Sequence, residues 1–444
     1  MTKKAKTLGA KKQVNFKKDT QLVYLIAIPT IVFLLKMITM FNIKGGGWYG
    51  ADGENYLKGV EGLVDFGFFS TEPKLNYWPA GYPLLMWPIA EVTTLHFFYV
   101  MSVLQSLFFA YSTYYFTNQL RRGPLKYLAV GVSLVVSLNP TLSLSTFSIG
   151  YEAPIASCFF MSLGLFYKFL YDNDSNQRTK LNYLFFGFAW LSLASFMQPR
   201  FLLIALLLLV LVTFRLSGWT MRLRLISLSL VILMVAPTIM IYRNSQTIGQ
   251  SVISTNLGVT MAIGAGPETT GSYMHKGPEV SCSSGIPIGE LKDQEKVACV
   301  INWYIENPLK AINLAFNKSQ YFWSPWSGPL ADGTMARNPW LNISPAYTVI
   351  KNKEGAELVL GGFGKFVSYL WIIGQLVFLF IGFRRVQTRA KQFALLAITP
   401  ILASWLISIG TIGDHRFRIP TMTLSLLFQV SGFLLLKEKI TKKL

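Results

Sequence analysis

Apolar runs of roughly 17–25 residues, the length that crosses a hydrocarbon core, recur along the chain between short polar connections. Ten of them read as membrane spans: Leu22–Phe41, Leu95–Thr117, Tyr127–Thr146, Pro154–Tyr171, Leu181–Met197, Phe201–Phe214, Leu225–Tyr242, Phe366–Phe383, Phe393–Gly410 and Ile419–Leu436. Asn139-Pro140 interrupts the third, and Gln198-Pro199-Arg200 alone separates the fifth from the sixth. Lys36 within the first span reads as snorkelling or facing protein. Two outer connections are long. Residues 42–94 hold the amphipathic positions Tyr56, Leu57, Val60, Leu63 and Val64, which predict a helix along the membrane with Asp52 at its N-terminal end. Residues 243–365 are long enough for a small mixed domain. The division is therefore an N-terminal membrane module over 1–242, a loop domain over 243–365 and a C-terminal membrane module over 366–444.

Composition narrows the class. Of 444 residues, 52% are hydrophobic and only 14% charged, where a soluble domain carries about 25% charged residues. The aromatic content of 14% excludes a disordered chain, and three cysteines exclude a disulfide scaffold. The net charge of +20 would suggest nucleic acid in a soluble protein. Here its distribution matters more. With ten spans and the N-terminus inside, the inner segments hold 23 of the 41 Lys and Arg but only four of the 21 acids. That is the positive-inside pattern, with both termini cytoplasmic in an inner (plasma) membrane and a basic face for anionic lipid. The lysine-rich start resembles a signal-peptide n-region, but the run after it is of span length without an Ala-x-Ala site, so it reads as an uncleaved first span.

Candidate chemistry lies on the outer face. Asp52 sits where a helix N-terminus favours negative charge, and a carboxylate there can act as general base on an acceptor hydroxyl or amine. It can equally be a helix cap. Glu54 reads as a neighbour that supports Asp52 or as a rival for that role. Glu152 opens the fourth span at its outer end. Arg416 and Arg418, with His415, lie outside at the last span, where forked guanidinium donors suit a phosphate and snorkelling is the plain alternative. Arg200 and Arg243 are further phosphate candidates. Cys282 and Cys299 share the large outer loop, which favours a disulfide there. No HExxH or CxxC spacing exists, so no metal site is expected, and no P-loop or dinucleotide motif is present. No cofactor is required by this reading, although Asp52, Glu54 and Glu152 are the acids a divalent cation would use.

Four stretches carry a resemblance. Asp52 and Tyr56, with Gly67-Phe68-Phe69 and Pro79-Ala80-Gly81-Tyr82-Pro83-Leu84-Leu85, form the first. Arg243-Asn244, with Ser254-Thr255-Asn256-Leu257-Gly258 and the Gly264–Gly271 stretch, form the second. Tyr304-Ile305-Glu306-Asn307-Pro308 to Tyr321-Phe322-Trp323 is the third, and Gly413-Asp414-His415-Arg416-Phe417-Arg418-Ile419-Pro420 the fourth. Together and in order they resemble the GT-C membrane glycosyltransferases, among them bacterial homologues of protein O-mannosyltransferases and of the lipid A aminoarabinose transferase. Phe417 stands where that pattern usually has Tyr. The resemblance implies an all-α polytopic fold and a transferase taking a sugar from a polyprenyl-phosphate donor on the extracytoplasmic face. It implies inversion, an acceptor that is a glycan, lipid or protein, Asp52 as the essential acid and Glu152 as a second acid. A flippase of lipid-linked glycans would use the same charges as a pathway, marked by charge buried mid-span. A non-catalytic assembly subunit would leave Asp52 dispensable.

Overall fold

The computed structural model describes residues 19–41, 48–49, 52–267, 269–271, 280, 291–324 and 362–441. Within them the chain is almost wholly helical. Helices α1 (Thr20–Phe41), α2 (Gly53–Phe66), α3 (Pro73–Tyr77), α4 (Gly81–Val92) and α5 (Phe97–Arg121) come first. Next are α6 (Ala129–Leu138), α7 (Pro140–Ser145), α8 (Glu152–Tyr171), α9 (Gln177–Met197), α10 (Arg200–Thr213) and α11 (Trp219–Ile248). The outer helices α12 (Leu257–Ile263), α13 (Asp293–Glu306) and α14 (Pro308–Trp323) precede α15 (Gly362–Gly410) and α16 (Ile419–Thr441).

Five helical stretches are long and apolar enough to cross a membrane: Thr20–Phe41, Glu152–Tyr171, Trp219–Ile248, Tyr369–Gly410 and His415–Thr441. Tyr369–Gly410 contains a break at Ala390 (φ −150°, ψ 58°), so α15 is two helices joined without a loop. Lys126–Leu138 and Arg200–Thr213 are apolar but shorter. α5 is long enough, but it buries Ser102, Gln105, Ser106, Ser112, Thr113 and Thr117, a polar set that lowers its hydropathy. Length and apolarity alone thus carry fewer spans than the ten expected. The third expected span is not one helix. Pro140 has no N–H to continue α6, and Asn139 leaves helical geometry (ψ 119°) while its Oδ1 accepts from the N–H of Leu142.

α8 lies at the centre, buried around almost its whole circumference, as an apolar helix without a polar face should be. It packs on α5, α9 and α16, with Phe116 stacked on Phe160 at 4.4 Å. α15 and α16 touch backbone to backbone, because a Cβ at Gly382 or Gly432 would overlap a carbonyl of the other helix. At the Ala390 end, Arg385 and Arg389 both stand 4.5 Å from the ring of Tyr127. In 243–365 every element among the described residues is helical, so the mixed character expected of that loop is not seen there. Cys282, the expected partner of Cys299, lies outside the described residues, as does 325–361.

Candidate active site

Two short strands place the acids. β1 (Trp48–Tyr49) pairs in parallel with β2 (Ser148–Ile149), Trp48 opposite Ser148 and Tyr49 opposite Ile149. Asp52 and Glu152 each follow their strand by three residues, so the same register brings them side by side. β2 is held from behind by one face of α5. Ser102 Oγ donates to the Phe147 carbonyl (2.9 Å) and Gln105 Nε2 to that of Ser148 (3.2 Å). Tyr82 Oη donates to Gln105 Oε1 (3.1 Å) and accepts from the Gly150 N–H (3.1 Å). Gln105 was not foreseen, since a lone buried glutamine carries no sequence signal; Tyr82 lies in the Pro79–Leu85 stretch, but its role in holding Gly150 was not read from it.

Asp52 occupies the N-cap position of α2, yet its side chain caps nothing. It pairs instead with Arg416 Nη1, and Arg416 Nε donates to Glu152 Oε1 at 2.7 Å. One guanidinium thus bridges two carboxylates from distant parts of the chain. The side chains of Arg416 and Asp52 are 11% and 13% exposed and that of Glu152 is 0%, so the cluster has a wet rim and a dry floor. A short 3₁₀ turn, His415–Arg418, presents Arg416, with Asp414 Oδ1 accepting from its backbone N–H at 2.8 Å. A cation between Asp52 and Glu152 would have to displace that guanidinium.

Arg200, at the start of α10, completes the cluster. Its guanidinium lies 4.1 Å from the ring of Phe417, its Nη2 is 3.5 Å from Tyr151 Oη, and its buried Nε has no partner. The second oxygen of Glu152 and the hydroxyl of Tyr56 are also buried without a partner. Tyr56 stands edge-on to Tyr82 (5.3 Å), Tyr151 (6.1 Å) and Trp78 (6.3 Å). Burial, then the neighbouring Tyr151 and Asp52, raise its pKa and keep it a hydroxyl. Burial raises that of Tyr151 in the same way. Both tyrosines had a signal: Tyr56 is one helical turn after Asp52, and Tyr151 directly precedes Glu152.

The other candidates lie elsewhere. Glu54 points outward and pairs with Lys58 (3.4 Å) on the same helix, both largely exposed; an i, i+4 pair serves α2 rather than the cluster. Arg243 is fully buried and directed at protein acceptors. Its Nε donates to the Phe68 carbonyl (3.0 Å), its Nη2 to that of Ser70, and its Nη1 to Leu75 O, Asn76 Oδ1 and Asn244 Oδ1. It staples the segment Phe68–Asn76 to the end of α11, with all three of its nitrogens already donating to protein. Arg418 donates to the carbonyls of Trp323 (3.3 Å) and Ser324 (3.1 Å) and to Gln375 Oε1 (2.7 Å), tying α14 to α15. His415 lies 3.5 Å from Asp414 at the back of the turn. Among the described residues no group of three or more His, Cys, Asp or Glu is placed to hold a metal.

Lys318 went unremarked in the sequence. Fully buried on α14, it donates to Tyr304 Oη (2.8 Å) and to the carbonyls of Ile409 (3.0 Å) and Thr411 (2.7 Å) at the end of α15. Burial lowers its pKa to about 7. Beside it the Gly413 N–H donates to the Gly271 carbonyl (2.8 Å). The segment leading into Arg416 is thereby clamped from the outer loop.

No family model and no curated protein matches the chain. Among solved structures it is similar to the archaeal oligosaccharyltransferase AglB from Archaeoglobus fulgidus, solved in complex with an inhibitory peptide and a dolichol-phosphate. The TM-score is 0.52 at 12% identity, covering 96% of this chain and 51% of that one. At that identity the likeness is one of fold. This chain spans about half the length of that enzyme.

Proposed function

We propose that this protein is an integral membrane glycosyltransferase moving a sugar from a polyprenyl-phosphate donor to an acceptor hydroxyl or amine on the extracytoplasmic face. The observation that carries the reading is the Asp52–Arg416–Glu152 bridge with Arg200 beside it, two carboxylates and two guanidiniums at the outer ends of the helices. Asp52, on the rim, takes the acceptor proton as the acceptor attacks the anomeric carbon. The bond from that carbon to the phosphate oxygen breaks, its electron pair leaves with the prenyl phosphate, and the configuration inverts. Arg200 receives the phosphate: its Nε–H is unpartnered and its guanidinium lies over Phe417 beside the bridge, whereas Arg418, whose Nε is unpartnered too, commits both Nη atoms to α14 and α15. Arg416 orients Asp52 and Glu152 and supports the same anion. The free Glu152 oxygen and Tyr56 hydroxyl offer an acceptor and a donor to sugar hydroxyls.

In the full reading the chain crosses the inner membrane about ten times with both termini in the cytoplasm. AglB's complex with a dolichol-phosphate and a peptide supports a lipid-linked donor in general. The resemblance of the four stretches supports the O-mannosyltransferase and aminoarabinose transferase branch. Transport of a lipid-linked glycan would need charge along a mid-membrane path. Buried charges instead lie at or within about a turn and a half of helix ends and breaks, Arg385 five residues before Ala390 among them; Lys36 faces Thr146 Oγ1 (3.5 Å) and the ring of Phe109, and Lys318 serves backbone carbonyls.

The test uses purified protein in nanodiscs, a panel of radiolabelled polyprenyl-phosphate sugars and a crude membrane acceptor fraction. Wild type is expected to move label off the prenyl phosphate, and Asp52→Asn and Arg200→Met to fail. Equal turnover by Asp52→Asn removes Asp52 as the base. Label that crosses the bilayer still attached to its lipid supports the transporter instead.

A further inference from the structure

Helices α13 and α14 carry an apolar side that nothing in the described chain covers. They bury Val300, Trp303, Leu314 and Phe322 against protein, yet Ile305, Leu309, Ile312 and Phe316 are 71%, 81%, 67% and 69% exposed. Leu309, Ile312 and Phe316 advance by three and four residues along one side of α14, and Ile305 stands at the end of α13, just before the non-helical Asn307 (φ −123°, ψ 59°). Glu306, Lys310 and Asn313 flank the stripe and are exposed as well. An aqueous surface does not ordinarily hold four such side chains in a row.

The position of α14 names the occupant. Its C-terminal half is bonded to the membrane-crossing helices below their outer ends. Trp405 Nε1 donates to Ser319 Oγ (3.0 Å) and Gln375 Nε2 to the Trp323 carbonyl (3.1 Å). Trp405 lies five residues inside the end of α15, a depth of about 7.5 Å along the helix at 1.5 Å per residue. α15 itself turns exposed Phe366, Leu370, Trp371, Ile373 and Phe380 outward as its lipid-facing surface. The stripe therefore stands next to the bilayer, with polar flanks suited to the headgroup level.

We infer that Ile305, Leu309, Ile312 and Phe316 are immersed in the outer leaflet, so that α13 and α14 rest on the membrane as a lipid-docked platform. This holds whatever reaction the protein performs. Its consequence is mechanical: Lys318 on the same helix grips the carbonyls of Ile409 and Thr411, so leaflet contact sets the depth of the turn that presents Arg416.

The full-length protein in phosphatidylcholine–phosphatidylglycerol nanodiscs containing an acyl-diazirine phosphatidylcholine is irradiated, and labelled peptides are mapped by mass spectrometry. A water-soluble diazirine is used in parallel. The expected result is acyl label on 305–316 alongside label on Phe366–Phe380, with little aqueous label on the stripe. In Leu309→Asn/Phe316→Asn, acyl labelling of Ile312 should fall while that of α15 persists, which shows the fold intact. The inference is overturned if α15 takes the acyl label and the stripe takes only the aqueous reagent, or neither reagent.

Discussion

Arg416 is the position where a change should cost most. In Arg416→Met, Glu152 is left at 0% exposure with neither oxygen partnered, so it either strands a charge beside Asp52 or takes up a proton at that cost. Removing one partner of a buried pair costs about 3–5 kcal/mol, most of it the stranded charge rather than the lost bond. A guanidinium serving two carboxylates belongs at the upper end. For a large chain about 2 °C accompanies each kcal/mol, so thermal unfolding in nanodiscs, followed by intrinsic fluorescence, should fall by roughly 6–10 °C. The sharper part of the prediction is the rescue. Glu152→Gln/Arg416→Met has no buried charge at the floor, and Asp52 on the rim reaches water, so the double variant should unfold at a higher temperature than Arg416→Met alone. If Arg416→Met is as stable as wild type, or the double variant is the less stable, the bridge does not hold the site together.

Other outcomes follow from the geometry. Lys318 should give stability a pH dependence: with its folded pKa at about 7 and its ordinary value 10.5, the unfolded chain alone holds the proton between those values. Stability therefore rises with pH across that window, by at most about 1.4 kcal/mol per unit, and is lost toward pH 7; Lys318→Met should flatten the slope in unfolding runs at pH 7 and 9. Arg243→Met strands the carbonyls of Phe68, Ser70 and Leu75 and should destabilise by about 3 kcal/mol or more, seen as protease cleavage in the first outer loop. Gly81→Ala drives a methyl into the Phe196 carbonyl, so its folded yield should collapse on size exclusion. Glu54→Gln should change stability by less than about 0.5 kcal/mol and leave transfer at wild-type rate, which separates it from Asp52.

The sequence marked charges at the ends of apolar runs but not where their donors point. Asp52, Glu152 and Arg416 were legible because each sits at a helix end and type and position agreed. Arg243 and Arg418 have the same signature, yet their forks close on backbone carbonyls, a choice made by tertiary packing. Glu54 shares the acidic stretch of Asp52, but two residues along a helix turn it to the opposite side. The helix after Asp52 was readable from its amphipathic spacing. The break in the third expected span was legible from Asn139-Pro140, although hydropathy alone is blind to it.

The bridge also has an order of assembly. Asp52 and Glu152 emerge first, Arg200 next, and Arg416 only with the last helix, as the chain leaves the ribosome. Until residues 415–418 are in place, two carboxylates face one guanidinium, and the floor of the cluster carries Glu152 without its bonded partner. The last helix therefore acts as the latch of the whole assembly. A chain truncated before His415 loses the packing of α16 on α15 and α8 together with the charge that closes the cluster, and should be the species a membrane quality-control protease removes.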